Sequence, residues 1–202
     1  MRCKVTLLLV SLLLLPLTSW AQSHKLLILG DSLSAAYGLK QEQGWVTLLQ
    51  NAWKTKNIEV IDGAISGDTT DGGLGRLPAL LEQTQPSHLL IELGGNDGLQ
   101  GYPVAKMKTN LGKMIEMAKS QNIVVILQKM RIPTNYGRRY TQQFEKAYDE
   151  LAAEYAVGLI PFLLEDIALN PELMQRDGIH PKAEAQPQIS EYMQQQLSGY
   201  FE

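Results

Sequence analysis

The sequence predicts an α/β fold, a three-layer α/β/α sandwich built on a five-stranded parallel sheet. Short apolar runs alternate along the chain with longer amphipathic segments, as in folds where each strand is followed by a helix. The runs are continuous rather than alternating, which is typical of parallel strands covered by helices on both faces. The five predicted strands are residues 25–29, 59–61, 88–93, 123–128 and 158–161.

Five helices are predicted because apolar residues recur three and four positions apart. The sets are Trp45, Leu48, Leu49 and Ala52; Leu77, Leu80 and Leu81; Met107, Leu111, Met114, Ile115 and Ala118; Phe144, Tyr148, Leu151 and Ala152; and Ile189, Met193 and Leu197. Pro181 is predicted at the first position of the last helix. The chain has no repeat, low-complexity tract or linker, so residues 22–202 are predicted to form one domain.

The first 21 residues have the pattern of a signal peptide. Arg2 and Lys4 precede an apolar stretch over residues 5–17, and the small residues Ser19 and Ala21 fit signal-peptidase cleavage after Ala21. The stretch is too short and wrongly flanked for a transmembrane span, although an uncleaved N-terminal anchor is the alternative. We therefore predict a periplasmic protein with no stable membrane span after cleavage.

Cleavage would change both the chemistry and the charge of the chain. It would remove Cys3, the only cysteine, so the mature chain is predicted to have neither a disulfide nor a thiolate nucleophile. It would also remove Arg2 and Lys4 but no acidic residue, which takes the net charge from −3 to −5. An acidic chain argues against a nucleic-acid partner. Phosphate-binding, dinucleotide and metal-ligand motifs are missing, so no cofactor and no metal are expected. We also expect a monomer.

Polar motifs follow several of the predicted strands. Ser32 follows the first strand, Gly67 the second and Asn96 the third, while Asp177 and His180 follow the fifth at some distance. Ligands of parallel α/β sheets bind at the carboxyl ends of the strands. The sequence therefore predicts that these residues gather in one site on that rim.

Ser32, His180 and Asp177 are the residue types of a serine hydrolase. A hydroxyl is a weak nucleophile until a base takes its proton, and a third group must orient the base. We predict Ser32 as the nucleophile, His180 as the base and Asp177 as the orienting group. The alternative for Ser32 is an ordinary loop or helix cap. The other histidines are set aside, because His24 lies beside the cleavage site and His88 is expected at the surface or at an edge.

Three N–H donors near Ser32 are predicted to form an oxyanion hole. An ester carbonyl gains negative charge in its transition state and requires fixed donors. The backbone N–H groups of Ser32 and Gly67 and the side-chain amide of Asn96 are predicted to supply them, although the segment around Asn96 has the composition of a plain turn. Asp68 and Asp97 are predicted to hold these loops in place.

Two segments are predicted to form the walls around the substrate. The first is a glycine-rich loop over residues 70–81, which is expected to move on binding, and the second covers residues 130–140. Arg138 and Arg139 in the second segment would either meet a phosphate head group or form a solvated pair. The predicted substrate contacts are Asp31, Leu33, Leu77, Pro78, Ile132 and Tyr136.

Together, these residues resemble the SGNH, or GDSL, hydrolase family. Its four blocks match Gly30-Asp31-Ser32-Leu33, Gly67, Gly94-Gly95-Asn96-Asp97 and Asp177-Gly178-Ile179-His180, in order and without departure. The likeness extends over essentially the whole mature chain and is strongest to bacterial periplasmic thioesterases of the family. The resemblance implies a flavodoxin-like fold and esterase, thioesterase, arylesterase and lysophospholipase activity on small acyl substrates.

Two other functions stay open at this point. One is a carbohydrate deacetylase on the same fold, acting on acetylated glycans of the cell envelope. The other is a non-catalytic protein that binds lipids or acyl chains and retains the motifs. The intact set of five site residues argues against the binding protein.

Overall fold

The computed structural model describes residues 24–201, and in it five parallel strands form one sheet. The order of the strands is β2-β1-β3-β4-β5. Each strand ends within one residue of its predicted bounds, so the predicted sheet is confirmed. The predicted signal peptide lies outside the described residues. The strands are β1 (His24–Gly30), β2 (Ile58–Asp62), β3 (His88–Glu92), β4 (Val124–Gln128) and β5 (Gly158–Ile160).

The central strands are buried on both faces. Leu26, Leu27, Ile28 and Leu29 in β1 have no exposed surface, and every residue of β3 is buried. Because neighbouring side chains of a strand point to opposite faces, such a run can be buried only between two layers of helices. The continuous apolar runs of the sequence therefore follow directly from the three-layer architecture.

Six α-helices lie among the described residues. Helix α1 packs against α6, and α4 packs between α2 and α5. Right-handed crossovers place these two groups on opposite faces of the sheet. The five predicted helices are confirmed, whereas the short α3, which begins within the Gly94-Gly95-Asn96-Asp97 block, was not predicted. The helices are α1 (Trp45–Trp53), α2 (Thr70–Thr84), α3 (Gly95–Leu99), α4 (Val104–Lys119), α5 (Arg138–Tyr155) and α6 (Gln186–Leu197).

The strand order creates a topological switch point between β1 and β3. From β1 the chain moves outward to β2, then crosses back over β1 to β3 and continues in the other direction. The connections after β1 and β3 therefore diverge to opposite faces, and they leave a crevice at the carboxyl ends of these two strands. Ser32 follows β1 and Asn96 follows β3, so the fold brings both residues to this crevice.

Residues 70–81 belong to helix α2, so the prediction of a mobile loop there is wrong. The Thr69 side chain caps the helix by accepting the N–H of Gly72 (3.5 Å). A Cβ at Gly73 would lie 2.2 Å from Leu93 Cδ1. Glycine at position 73 therefore allows α2 to pack closely against the end of β3, and its presence does not signal flexibility.

Two further predictions are also wrong. His88 is 3% exposed in the interior strand β3, and its ring lies between Ser87 Oγ (2.8 Å) and the carbonyl of Tyr200 (2.9 Å). These two partners satisfy both ring nitrogens, which makes burial of the ring tolerable. Pro181 does not begin the last helix. It pairs with Met174 in an isolated bridge, and α6 begins at Gln186 with a proline in its first turn.

Candidate active site

Ser32 lies in a tight turn directly after β1. The carbonyl of Asp31 accepts the N–H groups of Ser34 (3.3 Å) and Ala35 (3.0 Å), which closes the turn. Glycine is required at position 30, because a Cβ there would lie 2.7 Å from Glu92 Oε2. The turn places Ser32 in the wall of a large cavity.

Ser32, His180 and Asp177 form a continuous chain of hydrogen bonds. His180 Nε2 lies 2.8 Å from Ser32 Oγ, and His180 Nδ1 lies 2.7 Å from Asp177 Oδ2. An ionised carboxylate only accepts hydrogen bonds, so Nδ1 carries the ring proton and Nε2 is left to accept from the serine hydroxyl. This tautomer is the one that a general base for Ser32 requires.

The loop around Gly178 places the Asp177 carboxylate in contact with the His180 ring. Gly178 has a φ of +69°, and Asp177 Oδ1 accepts the backbone N–H groups of Ile179 (2.9 Å) and His180 (3.0 Å). Burial alone would raise the pKa of Asp177, but these N–H donors and the His180 ring outweigh it and lower the pKa to about 2. Asp177 is therefore ionised at neutral pH and fixed by its own loop.

The predicted oxyanion donors surround Ser32 from three loops. Asn96 Nδ2 donates to Asp31 Oδ2 (3.1 Å) and to the carbonyl of Asp68 (2.9 Å). Within residues 24–201, the backbone N–H groups of Ser32 and Gly67 have no acceptor. Gly67 has a φ of +80° and nothing within 4 Å of a Cβ position, so its backbone borders open space. Ser32, Gly67 and Asn96 all line the same cavity.

Arg76 and Asp97 tie these loops together. Arg76 on α2 donates to Asp68 Oδ2 (2.7 Å) and to the carbonyls of Gly30 (3.1 Å) and Gly63. Asp97 on α3 accepts from the backbone N–H (2.8 Å) and hydroxyl (2.5 Å) of Thr70, the first residue of α2. The loops that carry Ser32, Gly67 and Asn96 are therefore held to one another by charged side chains.

A pair of buried carboxyl groups lies beneath the Ser32 turn. Glu92 has no exposed surface, and its Oε2 accepts from Ser34 Oγ (2.7 Å) and from the Asp31 N–H (3.2 Å). Burial and then the Asp31 charge raise the pKa of Glu92 well above its ordinary value. Burial also raises the pKa of Asp31 to about 6, although the N–H of Leu33 opposes the shift. Glu92 therefore supports the turn from below through its hydrogen bonds to Ser34 and Asp31.

A cavity of about 850 Å³ opens beside these groups. Its size is in the range of pockets that hold small organic ligands. Arg131 and Glu165 form an ion pair (2.9 Å) in its wall. Most of the remaining wall is apolar, and it includes Leu99, Ile132, Phe162, Leu164, Met174 and Ile179.

The predicted substrate contacts divide into two groups. Asp31, Leu33 and Ile132 line the cavity. Three others do not, since Leu77 is buried in the core, Pro78 lies within α2, and Tyr136 is bonded through its hydroxyl to the carbonyl of Leu99. The positions of Leu77, Pro78 and Tyr136 therefore do not support the predicted contact with substrate.

One wall of the cavity was not predicted from the sequence. Residues 162–174 contribute several lining side chains, but they form only short 3₁₀ turns and lack a helical or strand period that would have drawn attention to them. Arg138 and Arg139 at the start of α5 do not line the cavity, whereas Arg131 does. Tyr37, a half-exposed residue that lines the cavity, was not predicted either.

Neither a candidate metal site nor a helix that could span a membrane is found among residues 24–201. Within residues 24–201, no group of three or more His, Cys, Asp or Glu side chains is placed to hold a metal ion. None of the helices over the same residues is long and apolar enough to cross a membrane.

Comparison with known proteins places this chain among ester hydrolases. A sequence profile of the GDSL-like Lipase/Acylhydrolase family matches residues 28–186. An arylesterase from Vibrio mimicus is 49% identical over 177 residues, which cover 87% of this chain and 88% of that protein. Thioesterase 1/protease 1/lysophospholipase L1 from Escherichia coli (strain K12) is 46% identical over 177 residues, which cover 88% of this chain and 85% of that protein.

A solved structure agrees with these sequence relatives. The psychrotrophic esterase EstA from Pseudoalteromonas sp., inhibited by monoethylphosphonate, superimposes with a TM-score of 0.85 at 45% sequence identity. The match covers 88% of this chain and 98% of that chain. This protein is a hydrolase of ester bonds, and the chain belongs to the GDSL-like lipase/acylhydrolase family, as its motifs predicted.

Proposed function

We propose that this protein is a serine esterase that hydrolyses acyl esters, acyl thioesters and lysophospholipids through a covalent acyl-enzyme. The observation that carries the proposal is the hydrogen-bonded chain of Ser32, His180 and Asp177, which opens on an apolar cavity. The names of the relatives support the range of substrates, since they include an arylesterase and a thioesterase with lysophospholipase activity.

Acylation begins when His180 Nε2 takes the proton of Ser32 Oγ and the oxygen attacks the carbonyl carbon of the substrate. The carbonyl oxygen becomes an oxyanion and accepts the N–H groups of Ser32 and Gly67 and the side-chain amide of Asn96. Asp177 stays ionised and stabilises the imidazolium. His180 then gives its proton to the departing alcohol or thiol, and the acyl group remains on Ser32.

Deacylation repeats these steps with water as the nucleophile. His180 takes a proton from water, the hydroxide attacks the acyl carbon, and the same N–H donors hold the second oxyanion. The bond to Ser32 Oγ then breaks, and His180 returns the proton to the serine. The free acid leaves, and the enzyme regains its starting protonation.

The apolar wall of the cavity is an argument for substrates whose acyl chains are longer than acetyl. Its wall is dominated by apolar side chains such as Phe162, Leu164 and Met174, which would stabilise a bound hydrocarbon chain by removing it from water. A deacetylase that recognises glycans would instead need polar partners for sugar hydroxyls, because a buried hydroxyl without a partner is costly. The wall therefore favours an acyl esterase over the deacetylase.

Hydrolysis of a p-nitrophenyl ester series from acetate to palmitate tests this proposal. We expect kcat/KM to rise from acetate to medium or long chains, since each buried CH₂ contributes about 0.8 kcal/mol at most. The matched control is the same series with Ser32→Ala. Turnover confined to acetate would favour the deacetylase, and an inert wild-type protein would favour the acyl-chain binding protein.

We further propose that the mature protein is a periplasmic monomer that begins at Gln22. The proposal rests on the basic residues, the apolar stretch and the small residues at positions 19 and 21. N-terminal sequencing of the exported protein should begin at Gln22, and light scattering should give the mass of one mature chain. A protein that retains Met1 and is found in the membrane fraction would show instead that the N-terminal segment is an uncleaved anchor.

A further inference from the structure

The ring of Tyr37 packs against the imidazole of His180 in the wall of the cavity. The two ring centroids lie 4.3 Å apart, and the ring planes are inclined by 34°. The side chain of Tyr37 is 48% exposed, and its hydroxyl has no hydrogen-bond partner within residues 24–201. The contact with His180 is therefore made by the aromatic face and does not depend on the hydroxyl.

The backbone on both sides of this contact is held in place. The carbonyl of Tyr37 accepts from Gln175 Nε2 (2.9 Å), which also donates to the carbonyl of Pro181 (3.0 Å). The backbone N–H of Gln175 donates to the carbonyl of His180 (2.8 Å). Gln175 thus joins the segment that carries Tyr37 to the loop that carries His180. The stacking of the two rings is a consequence of how these segments are joined.

We propose that Tyr37 is a positioning residue for His180: its ring holds the imidazole against Ser32 and stabilises the positive charge that the imidazole acquires during catalysis. This inference rests on the proposed function, in which His180 becomes an imidazolium. An aromatic face attracts a cation that lies within about 6 Å of its centre. The attraction is stronger for the imidazolium than for the neutral ring, so it lowers the energy of the transition state relative to the ground state.

Other charges also face the imidazole of His180. Asp177 contacts it from its own loop, and Asp31 acts on it electrostatically from the turn beneath Ser32. The ion pair of Arg131 and Glu165 lies in the wall of the same cavity. A substitution at Tyr37 leaves all four of these charged groups in place. A difference in kinetics between Tyr37 variants is therefore due to the aromatic ring of Tyr37.

The test compares Tyr37→Leu with Tyr37→Phe, which keeps the aromatic face. p-Nitrophenyl acetate is the substrate, because its acetyl group makes little use of the cavity wall. We expect Tyr37→Phe to remain within about twofold of wild type. Tyr37→Leu should lower kcat about three- to tenfold, with KM changed less than about twofold. The rate of inactivation by a small fluorophosphonate should fall in parallel, since that reaction also needs Ser32 activated by His180.

The pH profile separates a charge effect from a purely structural one. Without the aromatic face the protonated base is less stable, so the base stays neutral to lower pH. The acid-side midpoint of kcat/KM should therefore move down by about half a pH unit in Tyr37→Leu and stay in place in Tyr37→Phe. Thermal unfolding of both variants checks that the fold is retained.

Several results would overturn the inference. These are wild-type kinetics in Tyr37→Leu, an equal loss in Tyr37→Phe, or a lower kcat with an unmoved acid-side midpoint. Ser32→Ala measured beside them separates this inference from the proposed function. An inactive Ser32→Ala with a normal Tyr37→Leu would refute only the role of Tyr37, whereas an active Ser32→Ala would refute the serine mechanism itself.

Discussion

Replacing Ser32 with alanine is expected to lower kcat on p-nitrophenyl esters by roughly 10⁴- to 10⁶-fold. The substitution removes the oxygen that lies 2.8 Å from His180 Nε2, so no acyl-enzyme forms. Binding of substrate should change little, because the cavity wall and the N–H donors remain. A small residual rate is expected, since the oxyanion site alone still stabilises attack by water.

Ser66→Ala is the matched control for this experiment. Ser66 lines the same cavity but makes no hydrogen bond to His180 within the described residues, so its loss should change kcat less than about threefold. Steady-state kinetics of both variants with purified protein decide the question. Wild-type turnover by Ser32→Ala would refute the assignment of the nucleophile, and inactivity of Ser66→Ala alone would move that role to Ser66.

Asn96→Ala is expected to lower kcat by roughly 10²- to 10³-fold with little change in KM. The amide of Asn96 is held in advance by Asp31 Oδ2 and the Asp68 carbonyl, so it does not have to reorganise when charge develops on the substrate. Its two hydrogens are both engaged in the free enzyme. The hydrogen on the longer bond, 3.1 Å to Asp31, is the one we expect the oxyanion to share.

A double-mutant cycle with Asp31→Asn tests how Asn96 is held. Asp31 accepts from Leu33 N–H and from Asn96 Nδ2, and an asparagine has only one acceptor oxygen for these two donors. Asp31→Asn should therefore lower kcat about tenfold in the wild-type background and much less in Asn96→Ala. Equal losses in both backgrounds would show that Asp31 acts independently of Asn96.

An Asn96→Ala variant with wild-type kcat would contradict the assignment of Asn96 to the oxyanion site.

The five strands of the sheet could be predicted from the sequence because each strand can be recognised from its own residues. A strand such as β1 is a continuous apolar run, and that pattern identifies a fully buried parallel strand without knowledge of its neighbours. Asp177 and His180 could be paired for a similar reason, since they lie three positions apart with Gly178 and Ile179 between them, and their contact closes within one loop. Their position after the last strand then placed them with Ser32.

The errors arose where the deciding contact is distant in sequence. His88 is tolerated in the interior strand β3 because Ser87 and the carbonyl of Tyr200 satisfy its ring, and no local pattern reveals the distant partner Tyr200. Gly73 indicates flexibility when the sequence is considered alone, although Leu93, the residue directly after β3, is the reason for the glycine. Tyr37 meets His180 only once the loops after β1 and before α6 come together. A lone exposed tyrosine carries no signal of that contact.

The most direct test of the serine mechanism is to locate the adduct that a small fluorophosphonate forms with the wild-type protein. Mass spectrometry of the labelled and digested protein should find one added phosphonyl group per chain, on the peptide that contains Ser32 and at that residue. The label should be absent from Ser32→Ala and present in Ser66→Ala. Labelling at another residue, or unchanged labelling of Ser32→Ala, would contradict the proposal that Ser32 is the nucleophile activated by His180.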